Sequence, residues 1–283
     1  LARLSSVDSI EDPTRLAHAL LSLGGGASQE MDDYPPYVRA SSIYNVCPRE
    51  RVLGMRAGKV VPKRAAGVQL QTVYDMGHAF HEYMQNNPAY FGGKLYGWWV
   101  CSACQRTVFG TRHSGACQVC GAKPGSYRYK EHGFQIREPW RLSGHVDAYL
   151  EIARGDFRIC DLKTINGKDF EKLTAPHIEH LYQVHAYLLG HRHHTLPVTV
   201  NQNAALLLYA SKRMTTKTFP FKAFHVRLDP IIAAAVEDIL SEFTRAVGDF
   251  AYNPAPRQDC LASNFMCYRA TSCPCVAECR EAM

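Results

Sequence analysis

The chain has 283 residues, 46% of them apolar, and carries a formal charge of +6. That is enough apolar material to bury one sizeable core with a small appended module, and it excludes a helical membrane protein, because no apolar run reaches about 18 residues. Leu1 to Ile10 lacks the basic-then-apolar pattern of a secretory signal, so a soluble, intracellular, cytoplasmic protein without a membrane partner is expected.

The positive charge is a mild pointer to a polyanion, since clustered Lys and Arg attract phosphate. Metal-bound thiolates would reduce it. Four of them around zinc carry about −2, as does an oxidised four-iron cluster, leaving roughly +2 if eight cysteines are engaged. Charge alone therefore does not identify nucleic acid. The 11 cysteines suit metal or thiol chemistry better than a disulfide framework in a chain without an export signal. Four lie between Cys101 and Cys120, five crowd the tail, and Cys47 and Cys160 stand apart.

In chain order, Leu16 to Leu23 reads as a short helix ending at the joint Gly24-Gly25-Gly26. Ser41 or Ser42 caps a second helix running through Ile43, Tyr44 and Cys47, with Pro48 in its first turn or breaking it. A third helix, 67–85, sets Val73, Met76, Phe80 and Met84 at helical spacing, with His81 beside the stripe. From 98 to 127 the composition turns to Cys, Gly and short polar residues, too little for an independent apolar core. Strands follow at 133–136, 143–152 and 157–163, the last two forming a hairpin through the turn 153–156. A helix at 178–189, strands at 203–209 and 221–227, and a long helix at 230–251 lead into the cysteine-rich tail.

Side chains alternate along a strand, so Asp161 and Lys163 share one face, and the neighbouring strand brings Asp147 within reach. Two carboxylates beside an ammonium suit Mg²⁺ or Mn²⁺, which polarises a phosphodiester and acidifies a bound water. Lys163 could then orient that water or offset developing charge. His81 could add an imidazole ligand, which favours Mn²⁺. Gln183 and Tyr187, four apart on one helix face, could contact a phosphate or a base. An Asp-x-Lys pair alone is more often a solvated ion pair, and the weight lies in the order of the motifs: Gly77-x-x-x-His81, Gly144-x-x-Asp147, Asp161-Leu162-Lys163-Thr164 and Gln183-x-x-x-Tyr187.

That order resembles the RecB-like branch of the PD-(D/E)XK nucleases, over about 40 to 280 without the segment near 98–127. The resemblance implies an α/β restriction-endonuclease-like core, a central mixed sheet flanked by helices. It implies metal binding by His81, Asp147 and Asp161, catalysis by Lys163 and DNA contact by Gln183 and Tyr187. Cys47-Pro48-Arg49, far upstream of the tail cysteines, resembles the iron–sulfur members of this branch, the CRISPR-adaptation and AddB-type nucleases. There one early and three late cysteines hold a [4Fe–4S] cluster. The corresponding set here is Cys47, Cys267, Cys273 and Cys279, with Cys260 or Cys275 as substitutes and zinc as an alternative occupant. The usual tail spacing, Cys-x2-Cys-x5-Cys, is only half kept, because position 270 is Ala. Cys160, in an apolar strand, reads as a small core residue.

Cys101-x2-Cys104 and Cys117-x2-Cys120, twelve residues apart, have the spacing of a closed tetrahedral zinc site. Arg106, Arg112, His113 and Lys123, with Trp98 and Trp99 at the ribbon's edge, could grip or stack on DNA; a stability device or protein docking surface is the equal alternative. The expected organisation is a helical segment over 1–40, the helical part of the nuclease over 41–97, a zinc ribbon over 98–127, the nuclease core over 128–259 and an iron–sulfur tail over 260–283.

The leading expectation is a Mg- or Mn-dependent deoxyribonuclease, an exonuclease on single strands or DNA ends, with protein partners in a recombination, replication or CRISPR-type assembly. A non-cleaving nucleic-acid-binding or assembly subunit is the alternative. A redox protein would leave the acid-acid-lysine series unexplained.

Overall fold

The computed structural model describes residues 31–33, 36–58, 60–62, 68–111, 115–123, 125–213, 220–249, 251–267, 271 and 273–281. The helix expected at Leu16 to Leu23 lies outside them, as do Arg112 and His113.

Twelve strands are described: β1 (Met31–Asp33), β2 (Val38–Arg39), β3 (Val60–Pro62), β4 (Leu95–Cys101), β5 (Thr107–Gly110), β6 (Tyr127–Lys130), β7 (His132–Ile136), β8 (Leu142–Val146), β9 (Ala148–Ala153), β10 (Asp156–Ile165), β11 (Ala204–Ser211) and β12 (Phe221–Arg227). The α-helices are α1 (Pro48–Arg56), α2 (Val68–Asn86), α3 (Gly167–Lys172), α4 (Ile178–Gly190), α5 (Pro230–Gly248), α6 (Gln258–Ala262) and α7 (Val276–Glu281). The central sheet runs β12-β11-β10-β9-β4-β5, with β6 also paired to β4. It is mixed: β10 and β11 are parallel, while β9–β10 and β11–β12 are antiparallel. Between the two parallel strands the chain passes through α4, whose residues Gln183 to Gly190 are all buried. A parallel pair needs such a crossover, and here the crossover helix is the core. A second sheet, β2-β8-β7, stands beside the first.

The strand expected over 143–152 is two strands, which break at Asp147. Before it, β8 pairs with β7 and β2; after it, β9 pairs with β10 and β4. One chain segment thus serves two sheets and leaves an acid at the changeover. The helix expected from Ser41 or Ser42 through Cys47 also divides. A 3-10 turn spans Ala40–Asn45, and α1 begins at Pro48. Proline is favoured in a first turn because its missing N–H has no partner there anyway. Cys47 is the N-cap, its sulfur accepting from the Glu50 N–H. The long helix begins at Pro230, capped by Asp229 on the Ile231 and Ile232 N–H groups, and ends at Gly248 rather than 251.

The apolar stripe expected on α2 is only half used. Met84 is buried and Phe80 packs beside it, whereas Val73 and Met76 are exposed. β4 begins in the central sheet, where Leu95 and Tyr96 pair with β9. Its second half leaves to pair with β5 and β6. The cysteine ribbon therefore grows out of the core. Trp99 is fully buried, its Nε1 donating to the Gly110 carbonyl. This corrects the expectation that Trp99, at the ribbon's edge, could stack on DNA. Cys160 is fully buried, in the apolar cluster that also holds Cys101 and Cys117. No described helix is long and apolar enough to cross a membrane.

Candidate active site

Four elements converge on a cavity of about 760 Å³ whose lining includes His81 from α2, Glu131 from the β6–β7 link, Asp147 from the β8–β9 break, and Gln183 and Tyr187 from α4. Gly144 is required by packing: a Cβ there would lie 2.9 Å from the Tyr187 ring and 3.0 Å from that of Phe134. This is a physical reason for glycine three residues before Asp147.

The two acids are both buried but are held differently. Asp147 accepts the Leu162 N–H at Oδ2 (2.7 Å) and turns Oδ1 toward His81 Nδ1 (3.7 Å). Asp161 faces Lys163 Nζ at 2.8 Å through Oδ2 and accepts from Gln183 Nε2 (3.1 Å) through Oδ1. Gln183 also donates to Tyr187 Oη, and Tyr187 Oη donates to the His145 carbonyl at 2.6 Å. Gln183 and Tyr187 are buried, and their polar atoms brace Asp161 and the β8 backbone.

Burial, followed by the Asp161 charge, pushes the Asp147 carboxyl well above the usual carboxylate range. Burial opposes the charge on Lys163, yet the Asp161 and Asp147 carboxylates together raise its pKa, so it remains an ammonium. Burial lowers His81, with Glu131 pulling the other way. A neutral imidazole keeps a lone pair for a metal.

Sequence reasoning missed Glu131. Its Oε1 lies 4.0 Å from His81 Nδ1 and accepts from Gln85 Nε2 at 3.0 Å. The same Gln85 nitrogen donates to the Asp147 carbonyl at 3.0 Å. His81, Glu131 and Asp147 each offer one atom within 4.8 Å of the others, a group able to hold a metal ion. Asp161 is not in that group, being engaged by Lys163 and Gln183. The usable signal for Glu131 was register: β7 and β8 pair His132 with Val146, and one further step sets Glu131 opposite Asp147. With β7 expected to start at 133, that step was invisible.

Two cysteine groups lie elsewhere. In the ribbon, Cys101 and Cys120 Sγ are 3.9 Å apart and Cys104 and Cys117 Sγ 3.7 Å apart, and the four form a group that could bind a metal. In the tail, Cys47, Cys260, Cys273, Cys275 and Cys279 line one cavity. Cys267 is not among its lining residues, its sulfur lying 3.8 Å from that of Cys260. Arg49, buried, donates Nε to Cys279 Sγ (3.1 Å) and its two terminal nitrogens to the Pro254 and Cys279 carbonyls.

A mixed sheet with this acid-acid-lysine arrangement is the frame of a nuclease core. The family profile described as the PD-(D/E)XK nuclease superfamily matches residues 121–280, and the chain belongs to that superfamily. No curated protein sequence matches it. Among solved structures, it is similar to LHK-Exo in complex with dAMP, at 12% identity and a TM-score of 0.41, covering 76% of this chain and 89% of that one. It is similar also to the alkaline exonuclease LHK-Exo from Laribacter hongkongensis, at 11% identity, TM-score 0.41, with 75% and 88% covered. SSO0001 is at 11% identity, TM-score 0.36, with 92% and 95% covered. At these values the assignment rests on the family match.

Proposed function

We propose that this protein is a Mg²⁺- or Mn²⁺-dependent deoxyribonuclease that hydrolyses phosphodiester bonds in single strands or at DNA ends. The observation that carries the reading is that His81 and Asp147 line one open cavity, with the Asp161–Lys163 pair joined to its wall through Gln183. His81 and Asp147 would hold the divalent ion, and Asp161, held by Lys163 and Gln183, would add its negative charge beside them. When bound, the ion supplies Lewis-acid polarisation of the phosphate and a more acidic water. Lys163, kept cationic by its two carboxylate neighbours, stands where it can offset negative charge on a phosphate during cleavage. Gln183 steadies the Asp161 carboxylate through its 3.1 Å hydrogen bond.

The cysteine groups fit structural metals. Ligands 2.3 Å from a tetrahedral zinc stand about 3.8 Å apart, which is the spacing of the two ribbon sulfur pairs. We assign zinc there. For the tail we assign a [4Fe–4S] cluster held by Cys47, Cys260, Cys273 and Cys279, with Cys260 taking the place expected for Cys267, because it lines the cavity with the other three. Arg49 would offset thiolate charge, and the cluster would fasten α1 to the C-terminal segment.

The test is cleavage of end-labelled single- and double-stranded DNA with Mg²⁺, Mn²⁺ or chelator. Asp161→Ala and Lys163→Ala should each abolish metal-dependent cleavage while leaving the thermal unfolding transition and the iron and zinc content intact. Undiminished cleavage by either variant overturns the assignment.

A further inference from the structure

The β6–β7 link is where the cysteine ribbon returns to the nuclease core, and Glu131 is the single residue of that link. Continuing the His132–Val146 pairing by one step sets Glu131 opposite Asp147, each at the point where its chain passes from one sheet to another. Like charges placed directly opposite in a ladder are destabilising. Here the pair is bound together: Gln85 Nε2 donates both to Glu131 Oε1 and to the Asp147 carbonyl, and His81 Nδ1 stands 4.0 Å and 3.7 Å from their carboxylate oxygens. Ligands about 2.1 Å from an octahedral ion stand roughly 3 Å apart when adjacent and about 4.2 Å apart when opposite. The separations of 3.7 and 4.0 Å fall between these two values, and the three residues form a group that could hold one cation.

What fixes Glu131 is the ribbon. β6 pairs along its whole length with β4, Tyr127 opposite Cys101 and Lys130 opposite Trp98. The Tyr127 hydroxyl also bonds the sulfur of Cys117. Two of the four ribbon thiols thus touch or pair with the first residue of the strand that ends beside Glu131. The other restraint comes from α2, where Asn86 Oδ1 accepts the Tyr129 N–H at 2.9 Å.

We propose that Glu131 is a protein ligand of the catalytic divalent cation, and that the cysteine ribbon holds it in place. The ribbon is then part of the active-site support, and losing its metal weakens cation binding some distance away. The assignment rests on the metal-dependent nuclease reading of this site.

The experiment measures Mn²⁺ affinity of the purified full chain by the electron paramagnetic resonance signal of free Mn²⁺, without DNA. Glu131→Gln should weaken binding by on the order of 100-fold and Glu131→Asp by less, with unchanged thermal unfolding. Cys104→Ser, and Asn86→Ala, which frees β6 without touching the thiols, should each cost about tenfold, the scale of a lost outer-shell restraint. Neither should cost anything further in a Glu131→Gln background, since non-additivity marks a shared route. Parent-like affinity in Glu131→Gln overturns the ligand role. Equal weakening in both backgrounds by Cys104→Ser, or by Tyr127→Phe where Cys104→Ser does not fold, overturns the link to the ribbon, and equal weakening by Asn86→Ala overturns the restraint from α2. Mn²⁺ binding that survives Asp147→Asn overturns the underlying reading of the site, and the assignment of Glu131 with it.

Discussion

The ribbon and the tail both gather cysteines, but in different ways. The ribbon's thiols come from a short stretch, Cys101 to Cys120, and their sulfurs close to within 4.8 Å of one another. The tail group joins Cys47 to residues more than two hundred positions later and spreads its thiols around a cavity shared with Phe265 and Arg257. A tight tetrahedron suits one ion, whereas sulfurs arrayed around a space suit a group of several atoms. The energetic roles differ accordingly. A metal in the ribbon would close short loops whose strand β4 is already anchored in the sheet, while one in the tail would link Cys47 to residues more than two hundred positions later. Loop-closure entropy grows with loop length, so the tail group should stabilise more.

The largest effect should come from breaking the tail. Cys279→Ser removes a thiol that Arg49 holds at 3.1 Å, and should lose iron and lower Tm on the order of 10 °C, given about 2–4 °C per kcal/mol for a domain of this size class. Cys104→Ser in the ribbon should lose zinc with a smaller fall in Tm and earlier proteolysis near β5 and β6. Scanning calorimetry with metal analysis decides between them. Equal losses from the two variants would end the distinction drawn from loop length.

The difference between the two regions also explains what was legible in the sequence. The grouping of the four ribbon cysteines could be read directly, because both pairs are local. Of the motif residues named in advance, the structure sets His81 and Asp147 in the wall of one cavity and pairs Asp161 with Lys163. Their detailed partnerships were not legible. That Asp161 is taken by Lys163 and Gln183, and that Glu131 stands opposite Asp147, depend on strand register and on a break between two sheets, which a run of alternating residues at 143–152 does not announce. Pro48 was legible as an obstacle but not as the start of α1. Trp99 looked like an edge residue because the segment that follows it is polar and glycine-rich, yet its strand begins inside the central sheet.

An intermediate effect separates sulfur chemistry from imidazole chemistry. His191 is buried between the Tyr149 hydroxyl (2.8 Å) and the Tyr187 carbonyl (2.7 Å), and burial lowers its pKa from 6.5 to about 4. A depressed histidine is neutral in the fold, so its stabilising contribution is complete above pH 6.5 and is lost as pH falls toward 4. The shift bounds that loss at ~3 kcal/mol. Denaturant unfolding between pH 7 and 4 should show the decline, and His191→Asn should flatten it with zinc and iron content unchanged at neutral pH. An identical slope in parent and variant would assign the acid sensitivity elsewhere, first to His132 and His180, which burial lowers to about 4 and about 3.

The smallest effect is the sharpest discriminator within the tail. Cys267 and Cys260 sulfurs are only 3.8 Å apart, so distance between them cannot choose the cluster ligand, but only Cys260 lines the cavity with Cys47, Cys273 and Cys279. Burial, then the bond to Cys267, pushes the Cys260 thiol up to about 12, so as a free thiol it would stay protonated at neutral pH, and coordination would have to draw off that proton. Cys267→Ser should therefore keep the iron–sulfur absorbance and shift Tm by no more than about 2 °C, the ordinary range of a substitution worth about 0.5 kcal/mol. Cys260→Ser should bleach the absorbance. The reverse pattern would restore Cys267 as the ligand and make Cys260 the bystander. Bleaching by both would mean that the cavity draws on the pair, with either thiol needed to seat the other.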